Sequence, residues 1–261
     1  MSELLQQINN RVCTLTLNRP DKRNSLSPDL LKQLKATLDN LAEQDKIRAL
    51  IVTGSGDKAF CAGYDLSVLP TGRNEDDDDE GINPFEEAME ALVRFPYPVI
   101  AMMNGYAFGG GCDLAVSCDL RIGADDIRIG MVPAKLGVVY SADGLRRFIR
   151  ILGQARTREL FFTGRHYPAD FLREIGFLNY LLPKAELEPF TRQLAEEIAA
   201  NAPLSLKGIK RILGMIDDAS IPDNTSMQEA AELARQSFQS EDLIEGRAAF
   251  FEKRKPLFKG R

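Results

Sequence analysis

The hydrophobic positions along the chain follow two different periods, and these predict strands and helices in turn. Apolar and polar residues alternate in RVCTLTLNRP, residues 11–20, which indicates a strand. The continuous apolar run of IRALIVTGSG, residues 47–56, indicates a second strand that is buried on both faces. Between them, Ser27 is the predicted N-cap of a helix. The leucines of this helix share one face: Leu30, Leu34, Leu38 and Leu41.

The alternation of strands and helices continues to about residue 145 and then gives way to helices. PFEEAMEALVRF, residues 84–95, predicts a helix, and PVIAMMNGYAF, residues 98–108, predicts one strand. GGGCDLAVSCDL, residues 109–120, predicts a glycine entry into a short buried helix, and the polar residues 70–84 are expected to form a loop. Later apolar residues recur at spacings of three and four: Phe190, Leu194, Ile198, Leu206, Ile209, Leu213 and Ile216. We therefore predict an α/β fold with a helical C-terminal part.

Composition and charge argue against several classes of protein. The formal net charge of −5 disfavours attraction of the whole protein to nucleic acid. No apolar run reaches about 18 residues, and the N-terminus lacks the blocks of a signal peptide, so we expect no membrane span and a cytoplasmic location. The four cysteines form no C-x-x-C pair, which favours reduced thiols. The single histidine, His166, falls in an expected turn, so a metal site or a His-based catalytic pair is not predicted.

The remaining chemistry lies in the main chain of two glycine segments. FCAGYDL, residues 60–66, follows a strand and exposes the backbone at Gly63 and Tyr64. The glycines of residues 109–111 open the short helix, where the first N–H groups have no helical partner. Two such donors directed at one carbonyl oxygen would stabilise an enolate or oxyanion. Ordinary tight turns packed against the strands are the alternative.

Two glycine motifs, in this order and at this separation, resemble one family. KAFCAGYDL, residues 58–66, and NGYAFGGGCDLAVSCDLRI, residues 104–122, are similar to the enoyl-CoA hydratase/isomerase family, also called the crotonase superfamily. RPDKRNSLS near the start and EGRAAFFEKRKPLF near the end extend the resemblance over essentially the whole chain. The resemblance implies a spiral of ββα units that holds the acyl-CoA site, over residues 1–195. It also implies a C-terminal helical trimerisation region, over residues 196–261.

The resemblance further implies the substrate, the assembly and the site residues. The substrate is a coenzyme A thioester, no cofactor is needed beyond its coenzyme A moiety, and the chain forms a homotrimer or hexamer. The N–H groups of Tyr64 and Gly110 match the pair that binds the thioester oxygen, so the Tyr64 side chain need not react. Six residues match positions along the path of coenzyme A, the last two of them commonly given to a neighbouring subunit's ligand: Arg23, Ala62, Asp65, Leu66, Phe250 and Lys253. Basic side chains there would meet the phosphates of coenzyme A.

The acid–base positions decide the reaction, and they depart from those of the family's hydratases. The hydratases carry two glutamates, and this chain has Asp113 and Pro133 at the matching positions. Asp113 is either an acid–base group or an acid that stabilises the first turn of its helix. Pro133 cannot transfer a proton, so ordinary hydration is not expected by this route.

A third segment is similar to one branch of the family. VPAKLGVVYSADG, residues 132–144, resembles the decarboxylase branch that acts on methylmalonyl-CoA, which has a proline at this place and a tyrosine where Tyr140 falls. Val132 and Tyr64 replace a threonine and a histidine of that branch. Loss of CO2 from a malonyl-type thioester makes an enolate and needs no strong base. Tyr140 would hold the carboxylate or supply a proton, or else form an aromatic wall beside the acyl chain. We therefore favour decarboxylation, with an enoyl-CoA hydratase or isomerase as one alternative and a non-catalytic acyl-CoA binder as the other.

Overall fold

Strands of two sheets form the centre of the protein. The computed structural model describes residues 2–68, 83–218, 228, 231–232, 235–236 and 238–259, so most of the loop expected at 70–84 lies outside the described residues. The strands are β1 (Leu4–Asn9), β2 (Val12–Leu17), β3 (Ala49–Gly54), β4 (Ala59–Cys61), β5 (Val99–Met103), β6 (Tyr106–Phe108), β7 (Leu120–Ala124), β8 (Arg128–Gly130), β9 (His166–Pro168) and β10 (Tyr180–Leu182). The larger sheet has the order β1-β2-β3-β5-β7-β10, and the smaller has the order β4-β6-β8-β9.

The helices cover these sheets and link their strands. They are α1 (Pro28–Gln44), α2 (Pro84–Arg94), α3 (Gly110–Val116), α4 (Pro133–Leu136), α5 (Ala142–Thr163), α6 (Ala169–Glu174), α7 (Lys184–Ala200), α8 (Pro203–Asp218) and α9 (Glu241–Glu252). Gly153, with φ of 68°, breaks the regular geometry of α5. Short 3₁₀ turns lie at Pro20–Lys22 and Leu66–Val68. Within the described ranges, no helix is long and apolar enough to cross a membrane.

The order of elements is a spiral of strand–strand–helix units. The pairs β3–β4, β5–β6 and β7–β8 each place their first strand in the larger sheet and their second strand in the smaller one. The helices α2, α3 and α4 follow these three pairs. Within each sheet the strands of successive units are parallel. The predicted α/β fold is confirmed, and each unit returns its chain to the same end of the smaller sheet.

The first helix and the central strand form as the hydrophobic pattern predicts. The Leu30 N–H donates to Ser27 Oγ at 3.1 Å, so Ser27 caps α1. The four leucines predicted to share a face are all buried, and every residue of β3 is buried as well. The apolar spacing therefore identified both elements correctly.

The single strand predicted for residues 98–108 is wrong, because the segment divides into β5 and β6 of different sheets. The division falls at Asn104, whose Nδ2 donates to the carbonyl oxygens of Gly54 and Gly56, both at 2.7 Å. These bonds turn the chain from one sheet to the other. The expected turn at His166 is also wrong, because His166 begins β9, where its ring lies 4.7 Å from that of Phe108.

The helix α7 packs against the larger sheet and spans the boundary expected between residues 195 and 196. Its buried residues are Leu187, Thr191, Ala195 and Ala199, and the predicted apolar set of Phe190, Leu194 and Ile198 lies beside them, half-buried. A cut between 195 and 196 would divide this helix. The division of the chain into a core and a C-terminal region stays a prediction.

Candidate active site

The first glycine segment leaves β4 and is held by the segment before α1. The Leu26 N–H donates to the Gly63 carbonyl at 2.8 Å, and the Asp65 N–H donates to the Leu26 carbonyl at 2.9 Å. The C=O and N–H of a trans peptide group point in opposite directions, so the N–H of Tyr64, which shares its peptide group with the Gly63 carbonyl, points away from Leu26. Gly63 has a φ of +95°, a conformation that residues with a Cβ rarely adopt.

The second glycine segment meets the first at the start of α3. A Cβ on Gly63 would lie 3.3 Å from the Gly110 nitrogen and 2.5 Å from the Phe108 carbonyl oxygen. A Cβ on Gly110 would in turn lie 3.4 Å from the Tyr64 nitrogen. Among the described residues, neither the Tyr64 nor the Gly110 N–H has a protein acceptor. The two predicted donors are therefore neighbours, and both are available to a ligand oxygen.

An aromatic ring from α2 lies beside one of the two donor residues, Gly110. Phe85 is buried, and its Cε2 atom would lie 2.9 Å from a Cβ placed on Gly110. Asn83 caps α2, because its Oδ1 accepts from the Phe85 N–H at 3.0 Å. The contact between Phe85 and Gly110 leaves little space for a side chain at position 110. It also makes the surroundings of Gly110 apolar on that side.

The structure brings Asp113 and Tyr140 into direct contact. The Tyr140 hydroxyl donates to Asp113 Oδ2 at 2.7 Å. Arg147 of α5 donates two hydrogen bonds to the same carboxylate, from Nε to Oδ1 at 2.7 Å and from Nη2 to Oδ2 at 3.1 Å. Asp113 is fully buried, and only 5% of Arg147 is exposed. Both oxygens of Asp113 are thus occupied by neighbouring donors.

A second carboxylate completes this cluster. Arg147 Nη2 also donates to Glu86 Oε2 at 2.8 Å, and Ser141 Oγ donates to Glu86 Oε1 at 2.5 Å. These contacts join α2, α3 and α5. Sequence reasoning missed both Glu86 and Arg147. A buried aspartate is usually paired with a cation. The run RRFIR, residues 146–150, contains three arginines, and their spacing alone does not show which of them pairs with Asp113.

The protonation states in the cluster follow from burial and from these partners. Burial raises the pKa of the Tyr140 phenol well above its ordinary value, and the charge of Asp113 and the hydrogen bond to it raise this pKa further. Burial lowers the pKa of Arg147, but Asp113 and Glu86 outweigh it and raise that pKa overall. Tyr140 is therefore a neutral donor, and Arg147 keeps its positive charge.

Four of the residues predicted to follow the path of coenzyme A lie together beside the glycine segment. Arg23 is exposed, and its carbonyl accepts from the Ala62 N–H at 3.0 Å. Asp65 is held by Arg19 Nη2 at 3.0 Å and by Ser67 Oγ at 2.6 Å, and Leu66 begins a 3₁₀ turn. Burial raises the pKa of Asp65, but the bonds from Ser67 and Arg19 outweigh it and lower this pKa. The carboxylate of Asp65 therefore has a clear structural role.

The other two predicted residues, Phe250 and Lys253, lie at the end of α9. Phe250 is 59% exposed, and Lys253 ends the helix with a φ of +55°. Arg247, one turn earlier, donates from Nη2 to the Ser67 carbonyl at 3.4 Å. This bond brings α9 of the same chain next to the turn that contains Leu66.

Comparisons with known proteins agree with this architecture. The sequence model of the enoyl-CoA hydratase/isomerase family matches residues 7–261. The chain belongs to this family. It is 31% identical over 257 residues to the short-chain-enoyl-CoA hydratase of Clostridium acetobutylicum, covering 98% of this chain and 97% of the relative. It is 34% identical over 264 residues to the carnitinyl-CoA dehydratase of Escherichia coli O157:H7, with 100% of both chains covered.

A third relative is also similar in three dimensions. The methylmalonyl-CoA decarboxylase of Escherichia coli K12 is 34% identical over 255 residues, covering 96% of this chain and 95% of the relative. A solved structure of a methylmalonyl-CoA decarboxylase in complex with 2-nitronate-propionyl-CoA has a TM-score of 0.91 and 33% identity. That comparison covers 100% of this chain and 99% of the other. The protein therefore has the crotonase fold and is an acyl-CoA enzyme, while its relatives carry out different reactions.

Proposed function

We propose that this family member decarboxylates a malonyl-type coenzyme A thioester such as methylmalonyl-CoA. The observation that carries the proposal is the state of Asp113, which is fully buried and holds Arg147 and Tyr140 with both oxygens. A carboxylate bound in this way is poorly placed to take a proton from water. Pro133 occupies the second acid–base position and begins α4. Loss of CO2 suits such a site, because the reaction starts without a base.

In the proposed reaction the two backbone donors hold the negative charge. The N–H groups of Tyr64 and Gly110 donate to the thioester oxygen, and the bond between the α-carbon and the carboxylate breaks. CO2 departs, and the electron pair left behind forms an enolate whose charge rests on the thioester oxygen. Donors fixed in advance at this oxygen stabilise the transition state by about 3–4 kcal/mol each. A proton from solvent or from the phenol then converts the enolate carbon to the saturated product.

Tyr140 is the side chain that we assign to the departing carboxylate. Its raised pKa keeps the phenol protonated, so it approaches a carboxylate as a donor. Rotation of the hydroxyl redirects this proton from Asp113 to the substrate without moving the ring. The ring itself packs edge-on to Phe161, with centroids 5.2 Å apart. As the alternative, the ring serves only as an aromatic wall beside the acyl chain.

Further parts of the proposal concern coenzyme A and assembly. Enzymes of this family act on coenzyme A thioesters without a separate cofactor. We assign the backbone around Arg23, Ala62, Asp65 and Leu66 to the path of coenzyme A, because these residues adjoin the paired donors. Phe250 and Lys253 are assigned to the same ligand or to that of a neighbouring subunit. The proposed assembly is a trimer or hexamer.

Two other functions remain as alternatives. The hydratase and dehydratase among the relatives favour an enoyl-CoA hydratase or isomerase. Such a reaction would require Asp113 to leave Arg147 and act as the acid–base group. A non-catalytic acyl-CoA binder would keep the paired donors and turn over no substrate.

One assay panel tests the proposal. Purified protein is incubated separately with methylmalonyl-CoA and with crotonyl-CoA. Release of CO2 is measured for the first substrate and loss of the enoyl group for the second. We expect CO2 release from the first substrate, and Tyr140→Phe lowers kcat by about 10²–10⁴-fold, because Phe keeps the ring but removes the donor. Asp113→Asn keeps the size and an acceptor oxygen, so it lowers kcat less. Hydration of crotonyl-CoA, with a larger loss of kcat in Asp113→Asn than in Tyr140→Phe, supports the hydratase alternative. Binding of both thioesters without turnover supports the non-catalytic binder.

A further inference from the structure

The phenol of Tyr140 belongs to a closed ring of contacts that begins and ends at Arg147. One branch runs from Arg147 to Asp113 and on to the Tyr140 hydroxyl. The other runs from Arg147 to Glu86 and on to Ser141, the residue that follows Tyr140 in the chain. A single guanidinium therefore fixes both the hydroxyl of Tyr140 and the main chain beside it.

We propose that Arg147 is a positioning residue for the reaction, because it holds the Tyr140 phenol in place through Asp113 and Glu86. This inference rests on the proposed function, in which Tyr140 receives the substrate carboxylate. The hydrogen bonds of Arg147 go to Asp113 and Glu86, and none of these bonds reaches Tyr140 or the paired N–H donors. Its effect on the reaction passes through the two carboxylates.

The geometry of the contact requires a guanidinium. Nε and Nη2 meet the two oxygens of Asp113 in a parallel fork, and Nη2 also reaches Glu86. A fork fixes the plane of the carboxylate, whereas the ammonium of lysine supplies a point charge that leaves the plane free to turn. The Oδ2 atom of Asp113 that accepts from Tyr140 is thereby held in one place.

The position of the Tyr140 hydroxyl depends on its hydrogen bond to Asp113, because the other contacts of the side chain are made by ring carbons. A Cβ on Gly144 would lie 2.4 Å from Tyr140 Cε1, so the ring rests directly on the backbone of α5. The ring of Phe161 packs edge-on to that of Tyr140. These contacts are made by carbon atoms of the ring and limit where it can lie, and the hydrogen bond to Asp113 sets where the end of the ring that carries the hydroxyl comes to rest. A hydroxyl displaced by about 1 Å from a reacting group can cost about 10²-fold in rate.

A purely structural role is the competing hypothesis, because the cluster also joins α2, α3 and α5. Arg150 provides a matched control on the same helix. It ties α5 to α3 by donating from Nη2 to the Val116 carbonyl at 3.2 Å, and it pairs with Asp217 at 3.0 Å. Arg150 makes no contact with Asp113 or Glu86 in these bonds. R150Q therefore removes a comparable link between the helices without touching the ring of contacts.

The first test is a double-mutant cycle on decarboxylation. We expect R147Q to lower kcat about 10–100-fold with KM changed by less than about 3-fold, and to lower it by less than about 2-fold when introduced into Y140F. R147K, which keeps the charge but loses the fork, gives an intermediate kcat. R150Q leaves kcat within about 2-fold of the original value. Equal losses from R147Q with and without Y140F, or an equal loss from R150Q, would overturn the inference.

R147Q leaves Asp113 buried without its cation and could prevent folding. A second variant, R147Q/D113N, therefore removes both charges of the pair. Removing one partner of a buried ion pair is strongly destabilising, whereas removing both charges is much less so. We expect R147Q/D113N to fold and still to show the lower kcat, because the fork is gone. A folded R147Q/D113N variant with the original kcat would also count against the inference.

The second test does not depend on the reaction. Tyrosine labelled with ¹³C at Cζ gives one signal for each of the six tyrosines, and Y140F identifies the signal of Tyr140. We expect R147Q, or R147Q/D113N, to shift or broaden that signal, while R150Q leaves it unchanged. An unmoved Tyr140 signal overturns the positioning role whichever substrate the protein uses. A moved signal in a protein that releases no CO2 keeps the positioning role and rejects the proposed reaction.

Discussion

Gly110 combines two properties at a single position. As the first residue of α3 it has an N–H group without an acceptor among the described residues, and this N–H lies next to that of Tyr64. The first position of a helix also accepts proline well, because its N–H makes no bond within the helix. The N–H of Gly110 can therefore be removed with little damage to α3 itself.

Gly110→Pro is expected to lower kcat by about 10²–10³-fold, because it removes one of the two donors to the thioester oxygen. Gly110→Ala is the matched control, since it adds the same Cβ at 2.9 Å from Phe85 and keeps the N–H. We expect a clearly smaller loss for Ala than for Pro, with coenzyme A affinity similar in both. The measurement is kcat and coenzyme A binding on protein shown to be folded. Equal losses in the two variants would place the oxyanion elsewhere.

The phenol of Tyr140 also links stability to pH. The pKa of this group is raised in the folded protein, so the folded state binds its proton more tightly than the unfolded chain does. This contribution to the free energy of unfolding is complete below about pH 10, the ordinary pKa of tyrosine. It is lost as the pH rises from there toward the folded pKa.

Comparison with Tyr140→Phe isolates this contribution from that of the other titrating groups. The difference in free energy of unfolding between the original protein and the variant should fall by up to about 1.4 kcal/mol for each pH unit above about 10. Urea unfolding at about pH 8, 10 and 11 measures the difference. A difference that stays constant over this range would mean that Tyr140 is not shielded from solvent by Asp113 and its neighbours.

At the scale of the residue, the sequence predicts the main-chain geometry of the candidate site better than its side-chain contacts. Gly63 and Gly110 stand out because a glycine at a strand end or a helix start commonly marks a backbone conformation or a close approach that a Cβ would prevent. The role of Asp113 could not be read in the same way, since an aspartate in a first turn is equally consistent with catalysis and with helix stability. Its pairing with Arg147 depends on the packing of α5 against α3, which is 34 residues away in the chain.

At the scale of elements, the start of α5 fixes the second half of the site. Ser141 caps this helix, with its Oγ accepting from the Gly144 N–H at 3.1 Å, and it also donates to Glu86. The Tyr140 ring lies directly over Gly144. The first turn of α5 thus serves as the support on which the phenol rests.

Gly144→Ala should displace the Tyr140 ring, because the new Cβ would lie 2.4 Å from Cε1 and 2.6 Å from Cδ1. We expect kcat to fall by about 10²-fold, as a shift of about 1 Å in a reacting group commonly causes, with a smaller change in KM. Gly208→Ala in α8 is the control, because a Cβ there meets no atom within 4 Å. That change should leave kcat unaltered and add up to about 1 kcal/mol of stability. Unchanged turnover in Gly144→Ala would show that the ring position is not critical.

Elements with strong local patterns could be predicted, and those that depend on distant contacts could not. The capped leucine face of α1 and the buried run of β3 are decided within the segment itself. The break between β5 and β6 depends instead on the bonds of Asn104 to Gly54 and Gly56, about 50 residues earlier. The Asn-Gly pair at 104–105 is a typical turn signal and could have indicated the break.

At the scale of the whole molecule, α8 presents its apolar face outward. Its lysines face the body of the protein, where Lys207 pairs with Asp45 and Lys210 pairs with Asp119, both at 2.6 Å. Its large apolar side chains are mostly exposed: Leu204, Ile209, Ile212, Leu213, Met215 and Ile216. An amphipathic helix normally buries its apolar face, so the exposure of these side chains is the reason that we expect another protein surface to cover α8.

We expect that this surface of α8 is covered in a trimer or hexamer, as the family resemblance implies. Sedimentation should then give three or six times the chain mass of 29.0 kDa at micromolar concentration. Ile212 is 58% exposed, so Ile212→Glu should lower the assembled mass by placing a charge in the contact, while Ile212→Leu keeps the apolar surface and the assembly. Because the apolar side chains of α8 otherwise face water, the dissociated variant should also aggregate or unfold more readily. A single 29.0 kDa species for the original protein would contradict the assembly and leave the exposed face of α8 to a different partner.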